Sequence, residues 1–255
     1  MAGQEVKVHS IHKAVSILEL MAGAKMPLAL GELARQSGYP KSTLHGLIST
    51  LRELGLVDQS PIDGKYSLGL HLFELGCAVT GTWDITTVAK PYLQGIAQRI
   101  CETVFIAARD REDSIILDQA EANNPLRVSV SAGTRMPLHC TSQGKIFLAY
   151  HEEQLLRHLI KGGPDAFTPH TLCTEEALRE ECRTIREQGY AIENGEYRIG
   201  LRAVSAPVFD RSGEMSYAIG IVGMFRRIQS DEFNEAIQLV VEAAKNISRG
   251  LGYRD

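Results

Sequence analysis

Leu30, Leu33 and Ala34 recur at helical spacing and Gly38 follows them, so the pattern predicts a helix that stops on a glycine. Pro40 suits the first turn of the next helix. There Leu44, Leu47, Ile48, Leu51 and Leu54 repeat every three or four residues, which leaves Lys41, Ser42, Thr43, His45, Gly46, Ser49 and Arg52 on the other faces. Beyond Gly55, two β-prone runs at 56–58 and 65–68 flank Asp63-Gly64, a hairpin signal. Upstream, Ile11, Ala14, Val15, Leu18 and Met21 with Ala22 form a further apolar stripe, for which Ser10 is the expected N-cap. Helix, helix, helix, hairpin over residues 7–68 is the element order of a winged helix-turn-helix.

Leu70, Leu72, Phe73 and Leu75 then continue a helical pattern, and residues 69–83 are expected to be a connector helix. It is too apolar for a solvated linker, so its expected burial partner is the same segment of a second chain. Asp84 is placed to cap a new helix containing Val88, Leu93, Ile96 and Ile100, with Pro91 as a kink or a first-turn residue. From 104 the texture becomes β-prone, in runs at 104–107, 114–117 and 128–130 that read as a meander. Thr174 and Ser230, each followed by two acidic residues, are expected to open helices that run to about Gly189 and past Ala244. Between them, 203–209 and 216–224 flank the turn 210–213; the second strand is apolar throughout and should be central in its sheet. Residues 84–255 thus read as a second domain of class α+β, an antiparallel sheet with helices on one side.

Charge qualifies this picture. Residues 1–68 hold 7 lysines and arginines against 6 acidic residues and the remainder 20 against 25, so the net charge of −4 belongs to the second domain. Five cysteines, Cys77, Cys101, Cys140, Cys173 and Cys182, show no paired spacing and read as reduced core residues rather than a disulfide or zinc framework. No apolar run approaches 18 residues and no secretory leader is evident, so a cytoplasmic protein without a membrane segment is expected.

A second helix that begins with short hydroxyl side chains and cations suits the major groove, where short side chains let the backbone approach base edges and phosphates. Lys41, Ser42, Thr43, His45, Ser49, Arg52 and, on the wing, Lys65 are the candidate DNA contacts, with Tyr66 beside Lys65 also placed to reach DNA. Lys41 and Lys65 suit phosphates, and His45 suits bases.

Pro40-Lys41-Ser42-Thr43, the run Leu138-His139-Cys140-Thr141-Ser142-Gln143-Gly144-Lys145, and the run from Gly200 through Leu201, Arg202 and Ala203 to Asp210 give the chain its resemblance. Over essentially its full length it resembles the IclR family of bacterial transcriptional regulators. The resemblance implies a GAF-like second domain that binds a small effector, often a carboxylate, and a homodimer or homotetramer acting on a palindromic operator in double-stranded DNA. Thr141 can cap a helix whose first amides, on Ser142 and Gln143, would receive that carboxylate. The family's other pocket positions fall on Met136, Glu193, Leu201, Ala203, Gly220 and Val222. Small-acid members carry polar Cys or Ser where this chain has Ala203, Gly220 and Val222, which implies a larger and more apolar effector, such as an aromatic acid. Gly46 stands where the family frequently has a cation, so an operator sequence does not transfer. With the nearly neutral first domain, Gly46 also supports a rival reading, a small-molecule or partner-binding protein whose winged helix has impaired DNA binding.

Catalysis finds little support in the residues. Ser142 and Lys145 match S-x-x-K, in which a lysine activates a serine one turn away, but the S-D-N and K-T-G partners of that chemistry are missing. His139 next to Cys140 is read as pocket-lining or structural. His139, His151, His158 and His170 show no H-E-x-x-H or comparable metal-ligand spacing. No cofactor or metal is expected.

Overall fold

The computed structural model describes residues 8–24, 26–80, 84–121 and 127–254, without the side chains of 77–80, 84 and 152–154. The chain divides into two compact units between residues 82 and 83. Residues 81–83 of the expected connector helix, the side chain of the Asp84 cap and the Cys77 side chain lie outside the described residues.

In the first unit, α1 (His9–Gly23), α2 (Leu30–Ser37) and α3 (Lys41–Glu53) are followed by the wing strands β1 (Val57–Gln59) and β2 (Tyr66–Leu68) and by α4 (His71–Thr80). Gly38 ends α2 in the left-handed region, φ 72°, a conformation that is costly for a residue with a Cβ, and Pro40 occupies the N-cap of α3. The wing pairs Val57 with Leu68 and Gln59 with Tyr66 in antiparallel register. Ile17, Met21, Leu33, Leu44, Ile48, Leu51, Val57 and Tyr66 make the core.

Four expectations shift here. The buried stripe of α1 runs through Ile17 and Met21, while Ile11 and Val15 face outward. Ser10 lies inside α1, whose N-cap position is Val8. Leu54 is the exposed C-cap of α3 rather than a core residue, because the helix ends before its side chain turns inward. Tyr66 is buried in the core, which leaves Lys65, of the two, reaching the surface.

The second unit contains α5 (Asp84–Ile100), β3 (Thr103–Asp110), β4 (Asp113–Ala120), β5 (Arg135–Pro137), α6 (Ser142–Tyr150), α7 (Glu152–Gly162), α8 (Glu175–Gln188), β6 (Ala191–Asn194), β7 (Arg202–Phe209), β8 (Met215–Gly223) and α9 (Asp231–Gly250). Among the described residues its six strands lie in the order β5-β4-β3-β8-β7-β6, every neighbouring pair antiparallel. β8 is central, as its unbroken apolar run requires. Thr174 and Ser230 cap α8 and α9 as expected, each hydroxyl accepting the backbone N–H three residues on. Pro91 sits inside α5 and not in its first turn.

Helices cover both faces of this sheet, not one. Val104, Ile106, Val204, Ala206, Ile219 and Ile221 point to the side covered by α5 and α9. Their alternating neighbours Phe105, Ala107, Ala203, Ala218 and Val222 point to the side where α6 and α8 pack. The expectation failed because strands buried on both faces read as continuous apolar runs, so the sequence pattern does not report which face a helix covers. Residues 128–130 are not a strand; the third strand of the meander is β5, which pairs with β4. The segment before β5 lies against its neighbours by scattered bonds, Thr103 Oγ1 to Val128 O at 2.5 Å and Ile116 N to Thr134 O at 3.0 Å.

Two glycines of the first unit are predicted to respond oppositely to alanine. A Cβ on Gly46 would meet open space, so Gly46→Ala should stabilise α3 by about 1 kcal/mol. A Cβ on Gly69 would fall 2.2 Å from the Gly55 carbonyl oxygen, so Gly69→Ala should destabilise by about 1–3 kcal/mol. Chemical denaturation of the two variants measures both signs.

Candidate functional site

On α3 the inward residues Leu44, Ile48 and Leu51 determine what faces out. Lys41, Ser42, His45 and Arg52 are exposed, and Thr43 and Ser49 are half-buried. Positions 41, 45, 49 and 52 stack along one side of the helix. The Pro40 cap brings no side-chain acceptor, so the first amides of α3 stay available to a phosphate. Lys65 on the wing has its Nζ 3.7 Å from Asp63, and the tip residue Ile62, which the sequence pattern did not single out, is exposed.

In the second unit a cavity of about 200 Å³ opens on the sheet face that packs against α6. Its polar end is the start of α6. Thr141 Oγ1 accepts the Gly144 N–H at 3.2 Å and donates to the Pro137 carbonyl at 2.7 Å. Ser142 and Gln143, the first two residues of the helix, have no carbonyl one turn upstream in helical position to bond their N–H groups. Their side chains are held from behind, Ser142 Oγ by Ser205 Oγ at 2.7 Å and Gln143 Nε2 by Ser114 Oγ at 3.3 Å. Both lie buried against the cavity.

Glu193, also buried, borders the same space from β6. Its Oε1 accepts the N–H groups of Glu196 at 2.7 Å and Tyr197 at 3.2 Å. Burial pushes its pKa up to about 7 in spite of those two bonds, so the carboxyl is part-protonated at neutral pH. The apolar walls come from Phe105, Ile116, Val130, Met136, Leu201, Ala203 and Val222. Near the surface, the exposed Ser129, Ser131 and Arg198 border the opening, and Arg198 lies 5.4 Å over the Tyr197 ring.

The structure therefore brings Met136, Ser142, Gln143, Glu193, Leu201, Ala203 and Val222 together around one cavity. Gly220 does not line it. A Cβ there would fall 2.3 Å from Ser205 Oγ and 2.5 Å from the Phe105 ring, so the missing side chain makes room for Phe105 to become the wall. The sequence reading also missed Phe105, Ile116, Tyr197, Arg198 and the 128–134 segment. Alternation along β3 could have flagged Phe105, but the irregular segment had no periodic signal to find.

Other chemistries are disfavoured by geometry. Lys145 Nζ donates to Glu196 rather than approaching Ser142, so the S-x-x-K pair is not assembled as a nucleophile and base. Burial, with Glu196 and Glu193 adding to it, pushes the Cys140 thiol up to about 12, far from a thiolate nucleophile. His139 is buried with Nε2 2.9 Å from the Asp165 carbonyl oxygen, outside the cavity lining, a structural position. Cys182 is buried as expected, whereas Cys101 is exposed and Cys173 half-buried. Among the described residues no group of three His, Cys, Asp or Glu could hold a metal, and no helix is long and apolar enough to cross a membrane.

Comparison with known proteins is consistent across both units. The family profile described as "IclR helix-turn-helix domain" matches residues 10–61, and "Bacterial transcriptional regulator IclR C-terminal" matches 77–249. The chain is 33% identical to the transcriptional repressor IclR of Escherichia coli over 249 residues, 96% of this chain and 91% of that one. A crystal structure of an IclR transcriptional regulator from Alicyclobacillus acidocaldarius matches with TM-score 0.83 and 28% identity, covering 97% of this chain and all of that one. The fold is also that of an IclR homologue from Microbacterium hydrocarbonoxydans crystallised with 4-hydroxybenzoate, TM-score 0.84 at 22% identity over 95% of this chain and 98% of that one.

Glu193 should make stability pH-dependent in a defined sense. Its folded pKa of about 7 lies above the ordinary 4.5, so the unfolded chain releases the proton first and stability falls as pH rises between those values. Relative to Glu193→Gln, the wild-type protein should lose up to about 3 kcal/mol across that window and change little outside it. Denaturant titrations of both proteins from pH 4 to 8 test this.

Proposed function

We infer the function from a family premise: the chain belongs to the IclR family of bacterial transcriptional regulators. It is a ligand-responsive DNA-binding regulator, in line with relatives that are transcriptional repressors and regulators. Beyond that, we propose that its effector is a carboxylate with an apolar, aromatic-sized body. The observation that carries this is the two-sided cavity, in which helix-start amides and buried hydroxyls at Ser142 face walls of Phe105, Ile116, Leu201 and Val222.

The carboxylate sits at the start of α6, on the amides of Ser142 and Gln143, where the helix dipole favours negative charge. Protonated Glu193 avoids repelling it and can share a hydrogen with it. Ala203 and Val222 offer no hydrogen bonds, so the body of the ligand is recognised by shape. In the first unit, Lys41 and Lys65 meet phosphates and the Ser42, Thr43, His45, Ser49 and Arg52 face of α3 enters the major groove. Leu70, Phe73 and Leu75 near α4 and Ile11 and Val15 on α1 are large exposed apolar residues, and they pair with the same residues of a second copy. The resulting dimer, or a tetramer of two such dimers, works in the cytoplasm on a palindromic operator. Effector binding shifts the equilibrium between two spacings of the recognition helices; a 100-fold preference for one of them is worth about 2.7 kcal/mol.

The decisive experiment is an anisotropy titration of the full chain on DNA from upstream of its own gene, at two salt concentrations, with 4-hydroxybenzoate, pyruvate and glyoxylate. Specific, salt-sensitive binding that the aromatic acid alters is expected. Tight pyruvate or glyoxylate binding without any response to benzoates would overturn the effector class. Binding insensitive to salt, or none, would favour a winged helix with impaired DNA affinity.

Two further outcomes are expected. Affinity for the aromatic acid should fall as pH rises through about 7, where Glu193 ionises, and Glu193→Gln should flatten that profile. On DNA, Lys41→Ala should weaken all sequences alike and lower the salt slope by about 1, whereas His45→Ala should cost about 1–3 kcal/mol on the operator alone.

A further inference from the structure

Lys145 heads the large side chains that are fully buried, at 2% exposure. A lysine in such a place is expensive unless paired, and a well-packed apolar residue would serve stability as well or better. Its Nζ donates to Glu196 Oε1 at 2.6 Å and lies 2.8 Å from Glu181 Oε1. Burial opposes its charge, but the two carboxylates outweigh that and hold its pKa above the ordinary value, so it stays cationic. Three pieces of the second unit meet at this ion: α6, whose first turn forms the polar end of the cavity, α8, and the 195–201 segment after β6.

That segment supplies Tyr197, Arg198 and Leu201 to the cavity. Its backbone is held by Thr168 Oγ1 to Gly195 O and Thr171 Oγ1 to Glu196 O, both at 2.7 Å, and by the Glu196 and Tyr197 N–H groups donating to Glu193 Oε1. Its charged anchor is Glu196, whose other oxygen, Oε2, is buried and accepts no hydrogen bond among the described residues. Without Lys145 that carboxylate would be buried and unpaired, so either it takes up a proton, which burial already favours, or the segment moves to expose it.

Building on the effector cavity, we propose that Lys145 is its positioning residue: by holding Glu196, it fixes the 195–201 segment where Glu193, Tyr197 and Leu201 close on a ligand seated at the start of α6. Lys145 touches no ligand itself. The S-x-x-K spacing is thereby explained, since three residues along a helix place the lysine one turn below the serine that faces the cavity.

Amide hydrogen exchange of the full chain tests this without any ligand. In Lys145→Met, amides of 194–201 should exchange at least tenfold faster while those of β7 and β8 keep their wild-type rates. Glu196→Gln, which keeps the hydrogen bond and removes the charge, should shift the same amides by less, and it decides alone if Lys145→Met fails to fold. Unchanged exchange in 194–201, or uniform acceleration across the second unit, would overturn the proposal. With 4-hydroxybenzoate as probe, calorimetry should show at least tenfold weaker binding to the variants. In Lys145→Met the pH midpoint of binding should also move upward, because the Lys145 charge helps keep Glu193 ionised. Failure of the wild-type protein to bind the probe would count against the aromatic-acid reading alone, since the exchange result still decides the role of Lys145.

Discussion

A helix that starts inside a domain carries N–H groups it cannot use itself, and α6 is such a helix, buried from Ser142 through Ala149. Thr141 satisfies the amide of Gly144, and Gly144 must lack a side chain because a Cβ would fall 2.5 Å from Leu138 Cα. Ser142 and Gln143 line the cavity, and much of the second unit is arranged around them. Ser205 and Ser114 hold the adjacent side chains, and Gly220 gives way so that the Phe105 ring can form a wall. In the proposed function, a carboxylate effector would complete the hydrogen bonding that the buried helix start leaves open.

The same burial explains the unusual charges. Glu193 borders the helix start without a cation of its own and responds by holding its proton to near neutral pH. Lys145, one turn further along α6, is deeper still but meets two carboxylates and keeps its charge. One carboxyl left part-protonated by burial and one lysine held charged by partners sit within a turn of the same cavity. The proposed acid effector would thus meet a part-protonated carboxyl at Glu193 rather than a fully ionised one.

The first unit follows a simpler constraint. Its core is small, so Leu44, Ile48 and Leu51 must all turn inward, and the polar residues between them have one side left to occupy. The exposed side of α3 is thus a by-product of packing, available for a nucleic acid. Exposed Ile11, Val15, Leu70 and Phe73 have no such account among the described residues, and in the proposed dimer a second copy would cover them.

The sequence by itself determined the elements with strong periodic or capping signals: α2 and α3 around Gly38, the Asp63-Gly64 wing, the capped α8 and α9, and the hairpin of β7 and β8. Motif resemblance, not periodicity, placed Met136, Ser142, Gln143, Glu193, Leu201, Ala203 and Val222, and the fold gathers all seven around one cavity. Only tertiary structure decided which sheet face each helix covers, because strands buried on both faces have no polar side to read. It alone showed that Ile17 rather than Ile11 is the inward residue of α1, since two overlapping stripes on a short helix are equally periodic. Gly220 and Lys145 make the same point at the site: what a missing or a charged side chain does depends on the neighbours that long-range strand pairing and helix packing bring to it, and those neighbours are distant in the chain.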